Sequence, residues 1–268
     1  MVCNSGTSLV PTIDGTLHHF DNVGLYDALF VMQDKESSTL WNHITGEAQY
    51  GPLVGRTLGP VGNLLQMNVE LALELDPDIP VAISSRRYFA GGRAFGEGPV
   101  PTGPGRGDGP AAGEGRGAGP GRAGGPGGAA GPDGRGELAP MFVTTLGTED
   151  TRLPRMGMGL GVLTPTTVRF YPMDRIRERG EALIDDIDGR RVLVYVDPDT
   201  NTPAAIFVDA SAATLEGKEV RLDSGGVVRS GLVYDAAGQR LDAERPQQLF
   251  SRWYGFALTF PGPQIFGQ

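Results

Sequence analysis

Ile13-Asp14-Gly15-Thr16-Leu17-His18-His19-Phe20, residues 13–20, is the stretch on which the reading of the fold turns. Asp-Gly supplies the two φ > 0 positions of a type I′ turn, so these residues predict a hairpin. Working outward, Leu17 to Val23 and Asp27 to Gln33 read as strands around a turn at Gly24. Leu29-Phe30-Val31-Met32 is a short apolar run bounded by polar residues, as in a buried strand. Cys3-Asn4-Ser5-Gly6 stands upstream. Downstream come Leu40-Trp41-Asn42-His43, Gly46-Glu47-Ala48 and Gly51-Pro52-Leu53-Val54-Gly55. The first sixty residues hold the only cysteine, all three histidines and one of the two tryptophans, so candidate chemistry concentrates there.

Leu64 to Leu75 carries apolar residues at helical spacing among good helix formers, and Asp76-Pro77-Asp78 stops that helix. Pro80 to Ile83 reads as a strand. Residues 91–137 are mostly Gly, Pro and Ala with scattered charge. They hold too little apolar side chain to offset the entropy of ordering, which predicts a disordered linker. Arg106-Gly107-Asp108 falls inside it and reads as chance in a Gly/Arg/Asp-rich tract.

The second ordered part starts near Leu138. Thr167 to Tyr171 predicts a strand, Met173 to Gly180 a short helix ended by glycine, and Ile187-Asp188-Gly189-Arg190 another hairpin turn. Arg191 to Val196, Ala204 to Val208, Val220 to Leu222 and Gly231 to Tyr234 are rich in β-branched residues and read as strands. Gln247 to Phe260, with Phe250, Trp253, Tyr254 and Phe256, predicts a closing helix or strand that plugs the core. A faint repeat sets Ile13-Asp14-Gly15 against Leu215-Glu216-Gly217, and Phe30 to Asp34 against Leu232 to Asp235. The expected fold is therefore α+β and strand-rich. It has two related β-rich halves, residues 1–90 and 138–268, packed as one body with the Gly/Pro-rich insert between them.

The 268 residues carry a formal charge of −9. An acidic surface repels phosphate backbones, which argues against nucleic-acid binding. No run of eighteen apolar residues exists, so no spanning helix is expected. Met1-Val2-Cys3-Asn4 lacks the basic and apolar regions of a signal peptide. As it stands the chain would stay in the cytoplasm, and any export signal would lie upstream. One cysteine excludes a disulfide within these residues.

Taken together, Cys3, Ser5-Gly6, Asp14-Gly15, Leu40-Trp41, Gly46-Glu47-Ala48 and Gly51-Pro52-Leu53-Val54-Gly55 resemble the bacterial and archaeal family known as domain of unknown function 3179. Val162 to Val196 resembles its second-half pattern of strand, Tyr-Pro, helix and Asp-Gly hairpin. The resemblance covers most residues outside the Gly/Pro tract and brings no established activity. Two departures stand out. The family's glutamine after the tryptophan is His43 here. The first cysteine of its Cys-x-x-Cys would stand immediately before Met1. A misplaced start explains that better than a selenocysteine codon read as a stop, although the latter would also restart at Met1.

Cys3 is the leading chemical candidate. In a Cys-x-x-Cys or selenocysteine-x-x-Cys pair it would serve redox or metal chemistry, whereas a lone cysteine is more often a small buried hydrophobe. His43 could act as a general base or as a soft-metal ligand beside Cys3. Glu47 could orient a histidine or act as acid or base. His18 and His19 are adjacent on a strand and point to opposite faces, so at most one joins a site with His43. Ser5, Trp41 and His19 complete the candidate binding set, although Trp41 reads more readily as packing. Gly157-Met158-Gly159-Leu160-Gly161 has the look of a phosphate loop but precedes a strand, which disfavours dinucleotide binding. Asp197 to Asn201 starts like a calcium loop but lacks its later ligands, so a turn is expected. The leading functional expectation is a thiol- or selenol-based redox protein at Cys3, His43 and Glu47. The alternatives are a copper or zinc protein using Cys3 and a histidine, and a non-enzymatic binding module. Substrate, cofactor and small-molecule or protein partner are not legible.

Overall fold

The computed structural model describes residues 6–64, 67, 69–80, 89–90, 93–94 and 138–268. The sites expected at Cys3 and Ser5, all but the first residue of the strand expected over Pro80 to Ile83, and nearly all of the Gly/Pro tract lie outside them. The chain divides into two units, one of Met1–Asn68 with Gly124–Gln268, the other of Val69–Ala123. The fold is strand-rich, with few helices and several sheets. No helix among the described residues is long and apolar enough to cross a membrane.

In the larger unit, β1 (Ser8–Leu9) pairs with β8 (Pro60–Gly62). β2 (Thr12–Ile13) and β3 (Thr16–Leu17) form the expected hairpin, with Asp14 and Gly15 at φ 49 and 80°. A four-stranded antiparallel meander follows, made of β4 (Phe20–Tyr26), β5 (Leu29–Asp34), β6 (Leu40–Asn42) and β7 (Ala48–Tyr50). Its first turn is not at Gly24. Gly24 lies inside β4 next to a bulge, and the turn is Asp27-Ala28, both at positive φ. An alanine seldom adopts that conformation, but here tertiary bonds hold it. The Asp27 and Ala28 N–H groups donate to the carbonyl (3.0 Å) and hydroxyl (3.0 Å) of Thr145, and Asp27 Oδ1 accepts the Gly147 N–H at 2.8 Å.

The C-terminal portion opens with α2 (Pro140–Val143) and continues through β11 (Met158–Leu163), β12 (Val168–Pro172), α3 (Met173–Glu178), β13 (Ala182–Ile187), β14 (Arg190–Asp197) and β15 (Thr202–Phe207). It ends with β16 (Ala213–Glu216), β17 (Glu219–Leu222), β18 (Val227–Arg229), β19 (Leu232–Tyr234), β20 (Arg240–Leu241), β21 (Gln247–Arg252), α4 (Trp253–Thr259) and β22 (Gln264–Ile265). The sheets run β21-β11-β12-β22, β13-β14-β15 and β16-β17-β18-β19-β20. Side chains alternate along a strand, and β14 uses both faces. Val192, Val194 and Val196 pack with Leu160, Tyr171 and Ile176, while Leu193 and Tyr195 pack with Val220, Val228 and Val233. Helix α3 ends as its sequence predicts. Gly180 takes φ 80°, and the Gly180 and Glu181 N–H groups close back onto the Arg177 and Ile176 carbonyls, the bond pattern of a Schellman cap.

Residues 247–260 are strand and then helix. Trp253, Tyr254 and Phe256 of α4 are buried against Phe170, together with Ala28, Leu29 and Ile44 from the first meander. The run Gly157 to Gly161 is explained here, because its glycines clear space for rings. A Cβ on Gly159 would stand 2.5 Å from Phe170 Cζ, and one on Gly161 would stand 1.9 Å from Phe256 Cε2. In the smaller unit, α1 (Val69–Leu75) ends before Asp76, as expected, but it starts at Val69 and not at Leu64, and β9 (Phe89–Ala90) pairs with β10 (Arg93–Ala94).

Gly161→Ala should lower the urea-unfolding free energy by about 1–3 kcal/mol, the usual cost of overpacking. Gly24→Ala, which meets nothing within 4 Å, should stay within about 0.5 kcal/mol of wild type. Hydrogen bonds from the hydroxyls of Thr164 and Thr167 hold the Asp188 carboxyl below its usual 3.8. A depressed carboxyl stabilises the fold above its unfolded value and loses that contribution as pH falls through its folded value. The stability gap between wild type and Asp188→Asn should therefore be full at neutral pH and shrink below about pH 4, as read by urea midpoints across pH.

Candidate functional site

His43 follows β6 and is half-buried. Its Nδ1 lies 2.8 Å from the Phe30 carbonyl oxygen of β5. A carbonyl only accepts, so Nδ1 carries the hydrogen and Nε2 is the basic nitrogen of the neutral ring. The Phe30 ring meets the imidazole edge-on, with centroids 6.3 Å apart. His43 lines a cavity of about 490 Å³ walled by Phe20, Phe30, Met32 and Leu58 and bordered by Gly6 and Thr7. An apolar pocket with one titratable ring is a common form of small-molecule or reactive-group site.

Glu47 lies on a neighbouring cavity of about 480 Å³ that also involves Gly6 and Thr7, with Asn63, Arg245 and Gln248 on its walls. Its carboxylate accepts from the Thr45 hydroxyl at 3.4 Å, and its backbone bridges to Thr57. Residues 6 and 7 thus border both cavities, with His43 on one and Glu47 on the other.

Trp41 is wholly buried. It packs with Ile13, Ala48 and Leu58, meets Phe20 edge-on at 6.0 Å, and donates its indole N–H to Asp34 Oδ2 at 2.7 Å. Asp34 ends β5 and is only 1% exposed. Burial pushes its carboxyl up, but hydrogen bonds from the Ser37 hydroxyl and N–H, the Trp41 indole and the charge of His18 outweigh that, so the net shift is downward.

The histidine pair is not on a strand as expected, because it lies in the link between β3 and β4; His18 is nevertheless buried and His19 is 63% exposed at its side chain. Neither reaches the His43 cavity. His19 Nδ1 lies 2.8 Å from Glu36 Oε1, and its N–H donates to Oε2 at 2.9 Å. These two bonds, the side-chain one foremost, depress the Glu36 carboxyl from 4.5 to about 2. His18 faces Asp34 and Glu36, an arrangement that the placement of a turn at Gly24 obscures. With the turn at Asp27-Ala28 and the bulge after Asn22, Phe20 pairs with Asp34. Just beyond that pair the Lys35 N–H donates to the His19 carbonyl at 2.9 Å, which sets the histidine pair beside the turn after Asp34. The hairpin register was the signal that could have found the cluster.

Asp197 repeats the Asp34 turn. Asp197 Oδ1 accepts the N–H groups of Asp199 and Thr200 and the Thr200 hydroxyl, and Asn201 sits at φ 53° where Ser38 sits at 61°. The expected turn over Asp197 to Asn201 is present.

No known protein family, curated protein or solved structure matches the chain.

Trp41→Phe keeps an aromatic ring but leaves Asp34 Oδ2 one donor short. Hydrogen bonds to charged groups contribute about 1.5–3 kcal/mol, so urea unfolding should show a loss of that order. The companion Asp34→Asn should lose less in the Trp41→Phe background than in wild type, because the shared bond is already gone.

Proposed function

We propose that the protein is a thiol-based redox protein acting at Cys3, with His43 as the base. The observation that carries this is the His43 cavity. Its imidazole is fixed by the Phe30 carbonyl, and its border is formed by Gly6 and Thr7. Cys3 lies three residues before Gly6, and a chain spans at most about 3.6 Å per residue, so its Cα is tethered within about 11 Å of Gly6 on that border, with the thiol at the end of a short side chain. In the proposed step the Cys3 thiol passes its proton to His43 Nε2. The thiolate attacks one sulfur of a disulfide on another molecule, and the departing sulfur leaves as a thiolate that takes the proton back. The mixed disulfide is then resolved by a second external thiol. Glu47 lies on the adjoining cavity, which shares Gly6 and Thr7 with that of His43.

The same reading holds the chain to be a relative of the domain of unknown function 3179, built from two related halves. The turn at Asp235, whose Oδ1 accepts the Ala237 and Gln239 N–H groups much as Asp34 Oδ1 accepts the Ser37 N–H, falls at the repeat position of Asp34 and supports the second point. A metal alternative rests on the same hydrogen bond. A ring nitrogen donating to a carbonyl is the usual outer partner of a metal-bound histidine, so Cys3 and His43 holding copper or zinc is the second reading.

The test is the rate of Cys3 alkylation by iodoacetamide against pH in the full chain. The redox reading expects half-maximal reactivity well below pH 8, moving up toward about 8.5 in His43→Gln. A wild-type profile already at about 8.5 and unchanged in His43→Gln would sink it.

A further inference from the structure

We propose that His18, Asp34 and Glu36 form a binding site for a divalent transition-metal ion of the zinc class. The site is separate from the His43 cavity and does not depend on chemistry at Cys3.

The ligand atoms are already gathered. One ligand atom from each residue lies within 4.8 Å of the others. His18 Nδ1 is 3.7 Å from Asp34 Oδ1 and 3.9 Å from Glu36 Oε2. These separations are too long for hydrogen bonds, which end near about 3.2 Å. Zinc sits about 2.0–2.2 Å from nitrogen or carboxylate oxygen, so ligands at tetrahedral angles stand about 3.4 Å apart, a separation that small side-chain shifts would reach from here.

A buried polar atom also lacks a partner. The His18 side chain is 6% exposed, and its Nδ1 makes no hydrogen bond. Buried polar groups are normally satisfied, because desolvation without a partner is costly. A metal–nitrogen bond would satisfy this one.

The carboxylates are held from behind, as metal-bound carboxylates usually are. Asp34 Oδ2 accepts from the Trp41 indole and the Ser37 hydroxyl, both at 2.7 Å, and Oδ1 accepts the Ser37 N–H. Each oxygen has two lone pairs, so Oδ1 keeps one for an ion. Glu36 is fixed at both oxygens by His19, through the N–H at 2.9 Å and Nδ1 at 2.8 Å. The ligand set selects the ion. One imidazole with two carboxylates suits zinc, manganese or ferrous iron better than calcium or magnesium, which prefer oxygen alone. A dication also balances the two carboxylate charges. Three protein ligands leave a fourth position to water.

The test uses the full chain in a Cys3→Ser background, without a histidine tag and stripped by chelator, so that no thiol competes. Zn²⁺ is titrated against a colorimetric chelator, with circular dichroism as the check on folding. The expected result is one equivalent of tightly held Zn²⁺, unchanged in His43→Gln and weakened at least about tenfold in Glu36→Gln. Glu36 is partly exposed, so that variant should fold. His18→Gln should abolish binding if its spectrum stays native. Absence of Zn²⁺ uptake overturns the proposal, as does uptake that Glu36→Gln leaves intact or a preference for Ca²⁺ over Zn²⁺. Because the parent lacks the thiol, failure here leaves the Cys3 reading standing, and failure of the alkylation test leaves this site standing.

Discussion

The Asp34 carboxylate is buried and receives hydrogens from the Trp41 indole, the Ser37 hydroxyl and the Ser37 N–H. A buried anion survives only when it is hydrogen-bonded or paired, so this residue dictates what surrounds it. The chain must turn within residues 35–39 to bring Ser37 back onto it. That turn launches β6 antiparallel to β5 and delivers Trp41 to the core with its polar edge satisfied. Thr39, closing the same turn, accepts the Leu53 N–H on its hydroxyl and so ties the later Gly-Pro loop to the meander. Asp197 and Asp235 do the same at the ends of their strands, each accepting turn N–H groups on Oδ1. In each case a strand-ending aspartate substitutes for backbone partners that a sharp turn cannot provide.

What could be read from the sequence was local. Asp14-Gly15 and Asp188-Gly189 carry their turn chemistry in two residues, and both hairpins are present. Met173 to Gly180 carries its stop in Gly180. The turn at Asp27-Ala28 carried no such signal, because Thr145 holds the alanine at positive φ and Gly147 binds the Asp27 carboxylate beside it, both more than a hundred residues away. Placing the turn at Gly24 shifts every cross-strand pairing, and with it the partner of His18. The opposite exposure of His18 and His19 agrees with the expectation, although the pair sits in the link between β3 and β4 and not on a strand. The meeting of His18 with Asp34 and Glu36 depends on register and was not legible. The glycines of residues 157–161 could be separated from a phosphate loop by the strand that follows, but the rings they accommodate come from Phe170 and Phe256, which only the folded packing reveals.

Strand β5 links the two candidate sites. Its Phe30 carbonyl orients His43 near one end, and Asp34 at the other end faces His18. Four residues of extended chain separate them by about 13 Å. Along that length Met32 lines the His43 cavity and also packs against the Trp41 core.

The packing of α4 also bears on the order in which the chain can fold. The β4–β5 hairpin and the β13–β14 hairpin involve neighbours in sequence and can form as soon as they are made. The tip of the first hairpin, however, settles into a core whose other wall is Trp253, Tyr254 and Phe256. Strand β11 pairs with β21 across more than eighty residues of intervening chain. Contacts so distant in sequence are slow to form. On the ribosome, the apolar edge of the first meander and the cleared groove of β11 must remain uncovered until residues 247–260 emerge. Early termination within that segment would release a chain with most of its strands but no lid for its central core, a species prone to aggregation.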